Sequence, residues 1–285
     1  MREFKHCGPL HYDMVISSSP SNSDFSTGRY LDQQKIGNAL QQAVDFGASY
    51  AEVRLVAETG SSVNLRDGKL ENAIPGQEVG VTLRILADGA WGVHSTTDIS
   101  SLSGQIESTV RLAKAVAMRR ASSDKPVELA EVPIFQDEIH WRPNKDIRNT
   151  DLSTKIDMLK AIADSASDDE KIVSTTCGWS DEHIHTELLT SEGMDRVWSF
   201  QRSLVRGMVT ARDESEVVSY RTRYGGEGGL ELIESCDLGQ LGSDARIAAL
   251  RLLKAKRAPS GKMPLIADRD LTGVYIHEAL GHPCE

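Results

Sequence analysis

Hydrophobic positions between 31 and 46 recur every three to four residues. Leu31, Ile36, Leu40, Ala43 and Val44 share one side, and Gly47 follows. That spacing predicts an amphipathic helix closed by a glycine. Beyond it the period falls to two. Residues 50–58 alternate, and 61–74 read as a hairpin around Asp67-Gly68, a dipeptide suited to tight turns between strands. A second hairpin is expected over 78–96, turning at Asp88-Gly89. Asp98 stands where it can cap a helix of about 99–120, with Ile106, Val110, Ala113 and Val116 at helical spacing.

The stretch 121–149 carries Pro126, Pro133 and Pro143 without a period and reads as a linker. A helix is expected over 151–166, then alternating segments over 171–224. Their expected turns are Cys177-Gly178 and Glu192-Gly193, with a glycine-rich end at Gly225–Gly229. Those glycines suit either a close approach of a peptide backbone or a flexible connector. A helix over 243–257 should turn Ile247, Leu250 and Leu253 inward, and residues 262–268 read as a short buried strand. The last helix should run from Leu271 to His282 and end at Pro283.

These elements predict an α+β fold: two lobes of mostly antiparallel sheet with packed helices, and a motif helix at the C-terminal end. The expected division is a disordered tail over 1–30, an N-terminal α+β domain over 31–120, the linker 121–149, and a second α+β domain over 150–285.

Composition narrows the partners. Lys plus Arg number 32 against 42 Asp plus Glu among 285 residues, a net charge of -10. Neither a nucleic acid nor an anionic membrane suits that balance. A hydrophobic fraction of 39% supports a packed core. No apolar run approaches the ~20 residues of a membrane helix, and none near the start suits a signal peptide. Cys7, Cys177, Cys236 and Cys284 are scattered and never form CxxC. Reduced thiols and a cytoplasmic location are therefore expected.

The sharpest chemical signal is His277-Glu278-Ala279-Leu280-Gly281-His282, an H-E-x-x-x-H spacing. Neutral imidazoles are common zinc ligands, and an adjacent carboxylate can take a proton from water. On an ideal helix with its ~100° step, five residues leave the two histidines about 140° apart. Both rings reach one ion only if the helix opens between them, which Gly281 and Pro283 favour. The alternative is a plain helix terminus whose histidines cap it. Cys284 is a weaker candidate ligand. His183 and His185 lie two apart on a presumed strand beside Asp181 and Glu187. They read either as a second metal site or as a solvated polar face.

The stretches LRDGKLE and GVTLRILADGAWGVHSTTDIS, then RYGGEGGLE and SGKMPLIADRDLTGVYIHEALGHPCE, resemble the TldD/PmbA family in family order over residues ~31–285. The resemblance implies a TldD-like zinc metallopeptidase subunit, with His277 and His282 as metal ligands and Glu278 as general base. It implies peptide or unfolded polypeptide substrates and a heterodimer with a PmbA-like (TldE-like) partner. In the family the chain continues past this motif, and a cysteine there completes the metal site. The resemblance thus implies an amino-terminal fragment, inactive alone. A non-catalytic, PmbA-like interaction subunit is the competing expectation.

Overall fold

The computed structural model describes residues 28–120, 125–214 and 216–284. Most of the expected tail, residues 1–27, lies outside them. Two units are distinct, ending and beginning at Leu253 and Lys254.

In the first unit, helix α1 (Gln33–Asp45) starts at Asp32, whose carboxylate accepts the Gln34 and Lys35 N–H groups. Strands β1 (Tyr50–Arg66), β2 (Lys69–Ala87) and β3 (Ala90–Thr96) follow as two hairpins. Both turns hold their central residues left-handed: Asp67 and Gly68 at φ 50° and 71°, Asp88 and Gly89 at 52° and 71°. Two such residues match the right-handed twist of the paired strands. Asp98 caps a 3₁₀ turn, Ile99–Gln105, which leads into α2 (Ile106–Arg119).

The expected linker is partly structured. It contributes β4 (Gln136–His140), which pairs parallel with residues 195–199. Helix α3 (Leu152–Ala166) is capped by Asp151 as its sequence suggests. Long strands β5 (Ile172–Thr190), β6 (Asp195–Asp213) and β7 (Glu216–Glu227) form the antiparallel meander. Two short-range readings change here. Cys177-Gly178 is not a turn but lies within β5, where the Arg206 side chain crosses Gly178. The glycine-rich end is neither open to a ligand nor slack. A Cβ on Gly225 would lie 2.2 Å from the Ser203 carbonyl oxygen, and one on Gly229 would lie 2.0 Å from that of Lys145. Those glycines let the chain pack on itself.

Helices α4 (Leu230–Glu234) and α5 (Leu238–Leu253) close the unit. On α5 the buried positions are Gly242, Ala245 and Ala249, while Ile247 faces outward. The small face wins because α5 lies almost in contact with α3. A Cβ at Gly242 would meet the Ile162 carbonyl oxygen at 2.3 Å.

The fold is α+β, with seven strands in one sheet ordered β3-β2-β1-β5-β6-β4, and β7 also on β6. The pairing of β1 with β5 joins the amino-terminal hairpins to the meander. The helix-covered face carries two main apolar clusters. One combines α1 and α2 with Val53, Leu55, Leu83, Ile85 and Leu189. The other combines α3 and its neighbours with Val63, Leu65, Cys177, Trp179 and Val205. Alternation along β5 puts both ends of this face on one strand: Cys177 and Trp179 at one end, Leu189 at the other. Between them stand Asp181, His183, His185 and Glu187. A polar lane therefore crosses the sheet between two cores.

The second unit holds α6 (Arg269–Ile276), a π turn over His277–Gly281, and α7 (His282–Cys284). Residues 262–268 form no strand, and Leu265 and Ile266 are exposed. Pro283 does not end the helix. It is the second residue of α7, directly after the π turn.

Candidate metal centre

Asp268 starts the motif helix by accepting the Leu271 N–H, which fixes the register in which the histidines appear. Four residues into a regular helix the ladder would pass from His277 to Gly281. Instead the His282 N–H donates to the His277 carbonyl oxygen, five residues back. One extra residue is accommodated in that turn. The two imidazoles are thereby stacked one turn apart, as an i,i+4 pair would be, with ring centroids 4.6 Å apart and tilted by 57°.

Gly281 makes room for this arrangement. A Cβ there would stand 3.1 Å from His277 Nδ1, tighter than most real contacts. Glu278 Oε2 lies 3.5 Å from His282 Nε2. One ligand atom from each of His277, Glu278 and His282 falls within 4.8 Å of the others, and all three residues are exposed. Two imidazole nitrogens suit a borderline ion such as zinc, and the carboxylate beside them suits proton transfer. Cys284 is exposed and stands outside the cluster.

The β5 histidines are in a different setting from the solvated face considered above. His185 is buried, at 6% exposure, and His183 is half-buried. His185 Nε2 lies 3.0 Å from Glu187 Oε1. The same carboxylate, fully buried, accepts the Tyr30 and Leu31 N–H groups and so ties the start of the described chain to the sheet. Burial and the nearby Arg148 guanidinium push His183 down to about 4. Arg148 is itself gripped by Asp146, whose carboxyl falls to about 2 despite partial burial, through hydrogen bonds from Arg148 and Gln201.

Further along the lane, Asp181 Oδ2 accepts from Lys155 Nζ at 2.7 Å, Ser61 Oγ at 2.7 Å and Trp179 Nε1. Lys155 and Asp181 are both buried, so α3 is pinned to the sheet by an ion pair inside the protein. Cys177 is buried as well, and its thiol is pushed up to about 12 by desolvation, so it is not a nucleophile.

Residues 51–117 match the PmbA/TldA metallopeptidase domain 1, and residues 145–253 match the PmbA/TldA metallopeptidase central domain. The chain belongs to the PmbA/TldD family. A metalloprotease of Methanothermobacter thermautotrophicus is 30% identical over 255 residues, which is 90% of this chain and 54% of that protein. A zinc metalloprotease TldD homolog of Saccharolobus solfataricus is 23% identical, over 86% of this chain and 52% of its own length. The chain spans about half the length of these curated relatives. TldE from Thermococcus kodakarensis superimposes with a TM-score of 0.55 at 16% identity, covering 75% of this chain and 47% of TldE. That likeness is one of fold.

The two domains it matches are described as metallopeptidase domains, and the curated relatives it resembles are named metalloproteases. Sequence reasoning found His277, Glu278 and His282, which the structure brings together. It did not find His140, Tyr30 or Gln201 beside the β5 histidines, nor the Lys155–Asp181 pair. One signal was available. A strand with apolar ends and four polar residues at every second position is not a simple solvated strand.

Proposed function

We propose that this chain is a TldD-like subunit of a zinc-dependent peptidase, acting in the cytoplasm on peptides or unfolded polypeptides. The observation that carries the reading is the π turn, which gathers His277, Glu278 and His282 although their spacing would separate them on a regular helix. His277 and His282 would hold the ion through ring nitrogens. Zinc bound there supplies Lewis acidity, which polarises a carbonyl and makes water easier to deprotonate. Glu278 takes a proton at a carboxylate oxygen and passes it to the leaving amine nitrogen. Its exposure leaves that oxygen open to substrate.

Catalytic zinc sites take three protein ligands and keep one position open. The described residues gather two imidazoles, so the third ligand comes from a group outside them. By itself the chain then binds zinc weakly and does not turn over peptide. The family relation supports pairing with a PmbA-like subunit. Co-purification of the two proteins should give a defined complex, and two folded monomers in mild salt would count against it.

The test compares three variants of the protein as its gene encodes it. His277→Ala and His282→Ala should lose zinc and peptidase activity together. Glu278→Ala should keep zinc and lose at least ~10²-fold in kcat, as general-base removal does. A Glu278→Ala enzyme with undiminished turnover would refute the mechanism. An active complex whose metal content ignores all three changes would favour the interaction-subunit reading.

A further inference from the structure

The polar lane of the sheet contains a second cluster of ligand-type side chains, on the first unit and far in sequence from the motif. Register explains how it forms. His185 on β5 stands opposite Ser199 on β6, and Ser199 stands opposite His140 on β4. His183 stands opposite Gln201. Three imidazoles from two strands therefore line one cavity of about 210 Å³, bounded also by Tyr30, Trp141 and Arg148. We infer that His140, His183 and His185 form a second site for a divalent transition-metal ion, separate from the His277–His282 motif.

Four observations support this. First, the Glu187 carboxylate receives the backbone N–H groups of Tyr30 and Leu31, so it is itself fixed, and it lies 3.0 Å from His185 Nε2. A carboxylate there accepts a hydrogen bond from Nε2–H and leaves Nδ1 as the lone-pair nitrogen, the arrangement found behind metal-bound histidines. No partner for Nδ1 occurs among the described residues. Second, His183 lies two residues from His185 along β5, on the same face of the strand, and is half-buried where it lines the same cavity. Third, His140 lies against His185 with rings nearly parallel, 13° apart, at 6.4 Å. Its two nitrogens face Ser199 Oγ at 2.8 Å and the Glu138 carboxylate at 3.8 Å.

Fourth, the lane holds a buried hydroxyl, Thr59 Oγ1, without a hydrogen-bond partner, and Thr59 is the cross-strand neighbour of His183. Buried polar groups rarely stay unpaired without cause. Repulsion from Arg148 is offset because Asp146 holds its guanidinium in a paired contact of 2.6 Å.

The ring nitrogens are not yet gathered to the closeness of the motif cluster. Binding therefore has to draw the rings toward the ion, to the ~2.0–2.1 Å of a zinc–imidazole bond. For His140 this means exchanging its contact with Ser199 or Glu138 for the ion, and its strand, β4, is short and lies at the sheet edge.

The experiment uses the full chain carrying His277→Ala and His282→Ala, which removes the motif ligands. Dialysis against zinc alone, followed by metal analysis, should leave about one equivalent bound. Cobalt in its place should give a spectrum without thiolate charge transfer. Adding His183→Ala or His140→Ala should each weaken zinc binding at least about tenfold, and Glu187→Gln should weaken it by about 10–100-fold. His183 and His140 are only partly buried, so melting curves matching the parent establish that these variants fold even where a His185 variant does not. Zinc uptake absent from the folded parent would overturn the proposal. So would uptake that is the same in the folded His183→Ala and His140→Ala variants.

Discussion

Removing Lys155 should destabilise the protein far more than removing an ordinary surface lysine. Its ammonium is buried, with 7% of the side chain exposed, and Asp181 opposite it shows 3%. Lys155→Met keeps the length of the side chain and its packing on Trp179 but deletes the charge. Asp181 then remains buried with two neutral donors, Ser61 and Trp179. Breaking one side of such a pair costs about 3–5 kcal/mol, because the remaining charge has left water without compensation. Against a total stability of about 5–15 kcal/mol, that is a large share. Asp181→Asn should cost a similar amount by stranding Lys155. The double variant should cost much less than the sum, since the neutral amide that replaces the carboxylate can still accept from Ser61 and Trp179. A coupling energy of about 3 kcal/mol or more is expected, at the upper end for residues in contact. Urea unfolding followed by tryptophan fluorescence measures all three, provided the transition slope is unchanged. Single variants within about 1 kcal/mol of the parent, as for exposed pairs, would refute the reasoning. Strict additivity would refute it too.

Other consequences are direct. Gly281→Ala should leave the helix folded but weaken zinc binding about tenfold, because its Cβ presses on His277 Nδ1; equilibrium competition with a zinc chelator reads it. Deleting Ala279 removes the extra residue of the π turn and leaves an i,i+4 pair, so zinc affinity should stay within about tenfold of the parent. A loss as deep as that of His282→Ala would mean the turn does more than align the rings. His183 binds its proton near 4 in the folded chain against 6.5 for a free imidazole. Between those values acid protonates the unfolded chain first, so stability contributed above pH 6.5 is lost as pH falls towards 4. His183→Gln should flatten that part of a melting-temperature profile, and an unchanged slope would exclude the assignment.

Local chemistry was the most legible part of the sequence. Asp-Gly dipeptides set both hairpins because few other pairs accept two left-handed residues in a row. Asp32, Asp98 and Asp151 stand where helices begin because their carboxylates satisfy N–H groups that the helix cannot. What failed depended on neighbours distant in sequence. Gly178 looks like a turn and is instead a strand residue left bare for the Arg206 side chain. Ile247 looks like a core residue, yet α5 approaches α3 so closely that only Gly242, Ala245 and Ala249 fit between them. Residues 262–268 have the composition of a buried strand but form none, and Leu265 and Ile266 are exposed. His140 lay in a proline-marked segment without a period. Only its parallel pairing with β6 carries it to the other histidines.

The H-E-x-x-x-H spacing shows why motif and conformation have to be read together. On a regular helix with a ~100° step, His277 and His282 would face away from each other, and the carboxylate between them would serve neither. The sequence resolves this within five residues. Glycine at 281 lets the His277 ring lie over the backbone, and proline at 283, which has no N–H to donate to the ladder, follows directly after the π turn. The helix widens between the two histidines without ending, and the His282 N–H reaches the His277 carbonyl oxygen five residues back. A π turn is a rare and poorly stabilised element, and it recurs at functional sites because it rotates one side chain relative to the next without ending the helix. In this chain the rotation sets two imidazoles 4.6 Å apart beside a carboxylate, on a helix otherwise exposed to solvent. The distortion brings one ligand-type atom from each of His277, Glu278 and His282 within 4.8 Å of the others, which is the geometry the proposed zinc site needs.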